Sequence, residues 1–77
     1  MKKHDIEQLS EIIKLQRFKE KKSQEDCAKE LDISIPTYRE LEYNPNKLNL
    51  DQAIILGNFL NFNLIEIFLN TLLQNAM

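Results

Sequence analysis

The chain has 77 residues, of which 43% are hydrophobic and 29% are charged, and its formal net charge is −2. This length predicts a single domain with a thin core, and this composition excludes a disordered or collagen-like chain. No apolar run approaches the roughly 20 residues of a transmembrane helix, and the charged opening residues predict no secretory signal, so a cytoplasmic location is expected.

The residue inventory argues against an enzyme and against a metal or cofactor site. The single cysteine, Cys27, can form no internal disulfide and supplies no metal cluster. The single histidine, His4, lies near the N-terminus and far along the chain from Cys27, and there is no glycine-rich phosphate loop. We therefore expect Cys27 to be a small buried apolar residue and His4 to be solvated, with no small-molecule substrate.

Apolar residues recur with a helical period along nearly the whole chain. Ile6, Leu9 and Ile13, for example, mark one face of a first helix, and no strand pattern competes. Residues suited to helix N-caps precede the later helices, because their side chains accept hydrogen bonds from free backbone N–H groups. Five helices are predicted, over about residues 5–20, 24–31, 35–43, 50–60 and 64–74, with caps at Ser23, Ser34, Asn49 and Asn63 and capping-box partners at Asp26, Gln52 and Glu66.

The second and third helices have the spacing of a helix-turn-helix over about residues 23–43. Ala28 is small where the two helices must cross closely, and Asp32 is expected to adopt a positive φ in the turn. Tyr38 and Leu41 are expected to face inward and to seat the third helix. The outward residues of that helix are then Ser34, Ile35, Pro36, Thr37, Arg39, Glu40 and Tyr43.

Further short motifs surround this unit. They are Arg17, Ser23-Gln24-Glu25, Pro36-Thr37-Tyr38, Glu42, Leu50-Asp51 and Leu64-Ile65-Glu66-Ile67-Phe68. Together with Ala28 and Ser34, these residues resemble the Cro/phage-repressor-like (XRE-type) helix-turn-helix family, and the resemblance covers about residues 9–68. It implies an all-α, compact, five-helix lambda-repressor-like DNA-binding domain that occupies the whole chain, 1–77.

The chain departs from the family pattern at a few positions. Lys21, Asp32 and Asn44 stand where the family often has glycine, whereas the only glycine, Gly57, stands where alanine is usual. Asn44 tolerates the left-handed conformation, and we expect it to end the third helix together with Pro45, which cannot continue the hydrogen-bond ladder.

The resemblance implies that the third helix enters the major groove of DNA. Arg39 would read guanine, Thr37 would touch a thymine methyl group, and Glu40 would accept from a cytosine amine or repel the backbone. Gln24 would hold a phosphate or fold onto the base-contacting residues. The implied DNA contacts are Arg17, Lys22, Gln24, Ser34, Pro36, Thr37, Arg39, Glu40, Tyr43 and Lys47.

Plainer roles stay open for several of these residues. Arg39 can pair with Glu42 one helical turn away or stay solvated, and Glu42 itself is expected to be structural. Lys22 can be ordinary surface charge, and Tyr43 can be partly packed. Residues 24–43 hold two basic side chains against six acidic ones, and this acidic balance motivates the alternative of a protein-interaction module that does not read DNA.

The last helix is more apolar than one core-facing stripe requires. One row can serve the core of the monomer: Leu64, Ile67 or Phe68, and Leu72. The remaining apolar residues predict an exposed patch that a second copy would cover, unless the small domain buries both rows. The predicted dimer interface is Phe62, Ile65, Leu69, Leu72 and Leu73.

These features predict a sequence-specific transcriptional regulator, and the resemblance implies that it serves a bacterium or phage. We expect a homodimeric repressor that binds a palindromic operator in double-stranded DNA, with two recognition helices on successive major grooves. The alternatives are a protein-interaction module that keeps the fold without reading DNA, and an antitoxin or anti-repressor whose apolar face covers a protein partner.

Overall fold

The helices follow the order that the sequence predicts. The computed structural model of the chain describes residues 2–75, and over that range the fold is all-α without strands. Each predicted boundary lies within two residues of the observed one, so the five-helix fold class is confirmed. The elements are α1 (Lys3–Lys19), α2 (Gln24–Glu30), α3 (Ile35–Tyr43), a 3₁₀ turn (Pro45–Lys47), α4 (Leu50–Phe59) and α5 (Leu64–Asn75).

Side-chain caps begin four of these helices. The Ser23 hydroxyl accepts from the Asp26 N–H at 3.0 Å, and the Asp26 carboxylate accepts from the Ser23 N–H at 2.8 Å. Because each group satisfies a donor that the helix leaves free, the cap fixes where α2 starts. The same kind of bond runs to the Ser34 hydroxyl from Thr37 N–H, to Asn49 from Gln52 N–H, and to Asn63 from Glu66 N–H. All four predicted caps are confirmed.

Three non-glycine residues with positive φ form the corners between helices. Asp32 has φ 55° at the α2–α3 corner, as predicted, while Lys21 at φ 56° and Asn61 at φ 58° make the corners before α2 and α5. Asn44 does not join them, since its φ is −124° and its ψ is 74°. The prediction that Asn44 ends the third helix is confirmed, since α3 ends at Tyr43. The expected left-handed conformation of Asn44 was wrong, because the ring of Pro45 restricts the backbone of the preceding residue.

Every helix supplies at least one fully buried side chain to the interior. They include Ile13 from α1, Cys27 from α2, Tyr38 from α3, Leu56 from α4 and Leu64 from α5. Each exposes at most 1% of its surface, and the expectation that Cys27 is a buried apolar residue is confirmed. Among residues 2–75 no helix is long and apolar enough to cross a membrane.

The inward row of α5 differs from the predicted one near its end. Leu64 is buried and Phe68 packs against the core, but the next inward residue is Thr71, and Leu72 is 45% exposed. Leu72 was expected to serve the core, yet it follows Thr71 by one residue and so points about 100° away around the helix. The Thr71 hydroxyl donates to the Ile67 carbonyl at 2.9 Å, which lets a polar residue occupy this buried position.

Candidate nucleic-acid interface

The tight corner between α2 and α3 sets the direction of α3. The Asp32 N–H donates to the Lys29 carbonyl at 3.1 Å, and the Ile33 N–H donates to the Ala28 carbonyl at 3.0 Å. These bonds close the last turn of α2, and the left-handed conformation of Asp32 then turns the chain sharply. Ala28 is buried, and α2 packs closely on α3. The two helices and their tight turn therefore lie where the sequence predicts a helix-turn-helix.

The inner side of α3 holds it against the rest of the domain. Tyr38 and Leu41 are buried, as predicted, and Glu42 is buried with them. Ile35 was expected to point outward, but it is half-buried and packs against the core, where its apolar side chain is shielded from water. The exposed residues of α3 and its cap are Ser34, Pro36, Thr37, Arg39, Glu40 and Tyr43.

Gln24 lies beside the base-reading candidates. Its side-chain oxygen accepts from the Arg39 Nε–H at 3.1 Å, so α2 and α3 are linked across the outer surface. Of the two roles considered for Gln24, this is the one in which it folds onto Arg39. With Nε occupied, the two terminal nitrogens of Arg39 are the donors that remain for a partner.

Arg17 is in the interior and not on the outer surface. Its side chain is 9% exposed, and its Nε and Nη2 each donate at 3.0 Å to one oxygen of the Glu42 carboxylate. A third bond runs from Nη1 to the Lys22 carbonyl at 3.2 Å. Arg17 was expected to contact a phosphate, and this was wrong because every arm of the guanidinium is used inside the protein.

The ion pair also decides two questions that the sequence left open. Glu42 is structural, as expected, and because it binds Arg17 it does not pair with Arg39. Burial by itself disfavours the charged guanidinium, but the hydrogen bonds and charge of Glu42 raise the pKa of Arg17 above its ordinary value. Local periodicity gave no sign of this pair, since its two members are 25 residues apart.

The remaining phosphate-contact candidates differ in how free they are. Lys22 is half-buried, and its Nζ lies 4.8 Å from the centroid of the Phe59 ring. Tyr43 is 70% exposed, so it is not packed. Lys47 is exposed and donates to the Glu40 carboxylate at 2.7 Å. The last two lie at the C-terminal end of α3 and in the turn that follows it.

The acidic charge of residues 24–43 is smaller at the surface than a count of residues indicates. Glu42 is buried and paired with Arg17, and Glu40 is paired with Lys47. The hydrogen bond and charge of Lys47 hold the pKa of the Glu40 carboxyl below its ordinary value, so it stays ionised. Asp26 accepts hydrogen bonds from Ser23, which lower the pKa of its carboxyl. Asp26 therefore stays charged, and four of the six acids, Glu25, Asp26, Glu30 and Asp32, are exposed and have no ion pair within residues 2–75.

Burial keeps the titratable side chains of Cys27 and Tyr38 neutral. Burial raises the pKa of the Cys27 thiol, and burial together with the neighbouring Glu42 raises the pKa of the Tyr38 phenol. A neutral thiol is a poor nucleophile. His4 is exposed on α1, and no group of three His, Cys, Asp or Glu residues within 2–75 is arranged to hold a metal ion.

An apolar surface covers parts of α4 and α5, away from α3. Leu69 is 54% exposed and Leu73 is 66% exposed, while Phe62 and Ile65 are half-buried against the core. The predicted interface thus divides into three exposed residues of α5 (Leu69, Leu72 and Leu73) and two that are largely used by the monomer. The sequence reading missed the exposed apolar residues of α4, namely Leu50, Ile54 and Ile55.

Comparison of the chain with protein-family models, with curated proteins and with solved structures gave no match. The interpretation of the surface therefore depends on its geometry and chemistry.

Proposed function

We propose that the protein is a sequence-specific DNA-binding transcriptional regulator, which acts in the cytoplasm as a homodimeric repressor of the Cro/phage-repressor-like kind. The observation that carries the proposal is the sharp corner at Asp32, which leaves the outer side of α3 exposed while Tyr38 and Leu41 seat its inner side. An α-helix held in this way fits the major groove of B-DNA. Occupying an operator that overlaps a promoter would block transcription without catalysis.

In this proposal the exposed side of α3 reads base edges. Arg39, held at Nε by Gln24, presents two terminal nitrogens that match the O6 and N7 acceptors of guanine. Thr37 contacts a thymine methyl group, while Ser34 and Pro36 lie at the start of the helix, close to the bases. Lys22, Tyr43 and Lys47 serve the phosphates; Arg17 is left out because it is buried.

The exposed apolar surface of α4 and α5 supports pairing with a second copy. That surface includes Leu69 and Leu73, and after Lys47 the chain carries two acids and no basic residue, so little charge opposes self-association. The molecule measures 37 × 22 × 21 Å, a size at which two copies side by side can present their α3 helices to grooves about 34 Å apart. An operator for such a dimer is palindromic.

The test is a gel-shift titration against random duplexes followed by sequencing of the bound fraction. A regulator enriches an inverted repeat, and its affinity falls steeply with salt because bound phosphates release counterions. Arg39→Ala should weaken binding to the enriched site by about 1–3 kcal/mol and relax preference at one base pair. Lys22→Ala is the matched control, which should weaken binding equally on all sequences. No retention of any duplex at low salt would refute the proposal.

A second candidate function is a helix-turn-helix module or antitoxin that binds a protein. The same exposed apolar surface of α4 and α5 favours it, because a partner of another sequence can cover such a surface as well as a second copy can. A chain that stays monomeric, retains no duplex and co-purifies with one defined protein would support this candidate.

A further inference from the structure

An ion pair joins the outer surface of α3 to the turn that follows it. The Glu40 Oε1 atom accepts from the Lys47 Nζ at 2.7 Å and from the Asn44 Nδ2 at 3.2 Å. Both charged side chains are about half exposed, so water and salt screen the pair. Exposed ion pairs of this kind contribute little to stability and exchange partners readily. The link can therefore open when a better partner approaches.

A DNA duplex bound along α3 would attract Lys47 and repel Glu40. A DNA phosphate attracts the positive charge of Lys47. The same phosphates repel the carboxylate of Glu40, which lies next to Arg39 on the exposed side of α3. Of the groups on base edges in the major groove, the N4 amine of cytosine is a donor suited to a carboxylate. The two residues are thus bound to each other and would have separate partners on DNA.

We propose that Glu40 is a specificity-determining residue, which holds Lys47 on unrelated DNA and releases it to a phosphate only where a cytosine amine faces the Glu40 carboxylate. This inference rests on the proposed function, since it concerns how the same surface selects its site.

The physical reason is an exchange of partners. On an unrelated sequence, moving Lys47 to a phosphate leaves the carboxylate unpaired close to the anionic duplex, so the ion pair stays closed and one phosphate contact is lost. At the correct site the cytosine amine satisfies the carboxylate at the same time as the phosphate satisfies Lys47. The ion pair thereby weakens non-specific binding more than specific binding, which raises the ratio between them.

The first test measures affinity on the selected site and on an unrelated duplex. Lys47→Gln should weaken binding to the selected site by about 10-fold and change binding to the unrelated duplex much less. If Lys47 were only a phosphate contact, its removal would lower the affinity for both duplexes equally. Glu40→Gln should tighten binding to the unrelated duplex and make its log–log salt slope steeper by about 0.9, the value of one added phosphate contact. Equal losses for Lys47→Gln on both duplexes would overturn the inference.

Glu66→Gln is the matched control for charge. It removes one negative charge from α5, which packs on α4 and α1 and has no contact with α3, and glutamine can keep the capping-box position. It should leave the salt slope on the unrelated duplex unchanged. A slope that rises as much in Glu66→Gln as in Glu40→Gln would show an effect of net charge and would overturn the inference.

The second test asks whether a cytosine is read. The site that the wild type selects from random duplexes should contain one cytosine per half-site. The same selection with Glu40→Gln should show no preference for cytosine at that position. Replacing that base by N4-methylcytosine, whose methyl group occupies the amine position facing the major groove, should weaken wild-type binding by about 10-fold and leave Glu40→Gln unaffected. If the wild type selects a site and Glu40→Gln prefers the same bases at every position, the inference about Glu40 fails while the proposed function stands. If the wild type retains no duplex at all, the proposed function fails and the inference with it.

Discussion

At the scale of single residues, Arg17 and Glu42 form a buried ion pair. Two charges that are both buried in a 77-residue domain lose their hydration, and only a bidentate geometry with further hydrogen bonds offsets that loss. The pair joins α1 to α3, and through the Lys22 carbonyl it also joins the chain segment that leads into α2. It therefore ties both helices of the helix-turn-helix to α1.

Removing one member of this pair should destabilise the protein far more than removing both. Arg17→Met and Glu42→Leu should each lower the free energy of unfolding by about 3–5 kcal/mol, because the remaining charge stays buried without a partner. The double variant should recover most of that loss, since two apolar side chains replace the pair. Urea denaturation followed by circular dichroism measures all three. A single-variant loss under about 1 kcal/mol would contradict this view of the pair.

The arginine side of the pair should make stability insensitive to pH near neutrality. The pKa of Arg17 is raised in the folded state, so its contribution is complete below the ordinary arginine pKa and is lost only as pH rises through the folded value. That range lies in strong alkali.

At the scale of helices and turns, the sequence predicts well those features that depend only on neighbouring residues. The caps at Ser23, Ser34 and Asn49 work over three residues, and the positive φ of Asp32 depends on one, so all were predictable. The predictions failed where a residue's position depends on a partner far away in the sequence or on how two helices pack. Arg17 bonds a residue 25 positions away, and that partner decides its place.

The corner at Asp32 gives a prediction about backbone strain. A non-glycine residue at φ 55° is strained by about 1 kcal/mol, and glycine removes the strain while adding freedom to the unfolded chain. Asp32→Gly should therefore be neutral or stabilise the fold by up to about 1 kcal/mol in urea denaturation. Asn44→Gly is the control: its φ of −124° carries no such strain, and it should be destabilising by about 0.5–1 kcal/mol. Equal losses at the two positions would contradict the argument.

Gly57 gives a prediction about the contact of α4 with the start of α5. A Cβ atom at this position would lie 2.8 Å from the Phe62 carbonyl oxygen and 3.3 Å from the Leu64 Cβ. Because the first of these is backbone, it cannot rotate away. Gly57→Ala should lower the free energy of unfolding by about 1 kcal/mol or more, although alanine favours helix by about 1 kcal/mol.

Asn58→Ala is the control for that change. Asn58 is the next residue of α4 and is exposed, so alanine there should stabilise by about 0.5 kcal/mol through helix propensity alone. The same thermal or urea measurement serves both variants. If Gly57→Ala also gains stability, the close approach of the two helices is not what requires glycine.

At the scale of the whole molecule, the core and the outer apolar surface divide the apolar residues of the C-terminal half. The core takes Leu56, Leu60 and Leu64 completely, and Thr71 ends its inward row. The surplus apolar residues lie on the outside of α4 and α5. The sequence predicted the surplus on α5 from its composition, but the exact rows depend on how α5 packs against α4, which periodicity does not determine.

The last prediction concerns this surplus. If a second copy covers it, Leu69→Glu should raise the dissociation constant of the dimer at least about 100-fold, because a two-fold axis places the new charge on both sides of one interface. Sedimentation across a range of concentrations would then report a monomer, and the melting temperature would lose its dependence on protein concentration. Leu15→Glu makes the same substitution at a residue of α1 that is 60% exposed, and it should leave the dimer intact. Because the domain core is formed without Leu69, the monomeric variant should keep its helical circular dichroism while binding an operator half-site more weakly than the dimer binds the full palindrome. A wild-type chain that sediments as a monomer at every concentration would remove the dimer and, with it, the reason to expect a palindromic site.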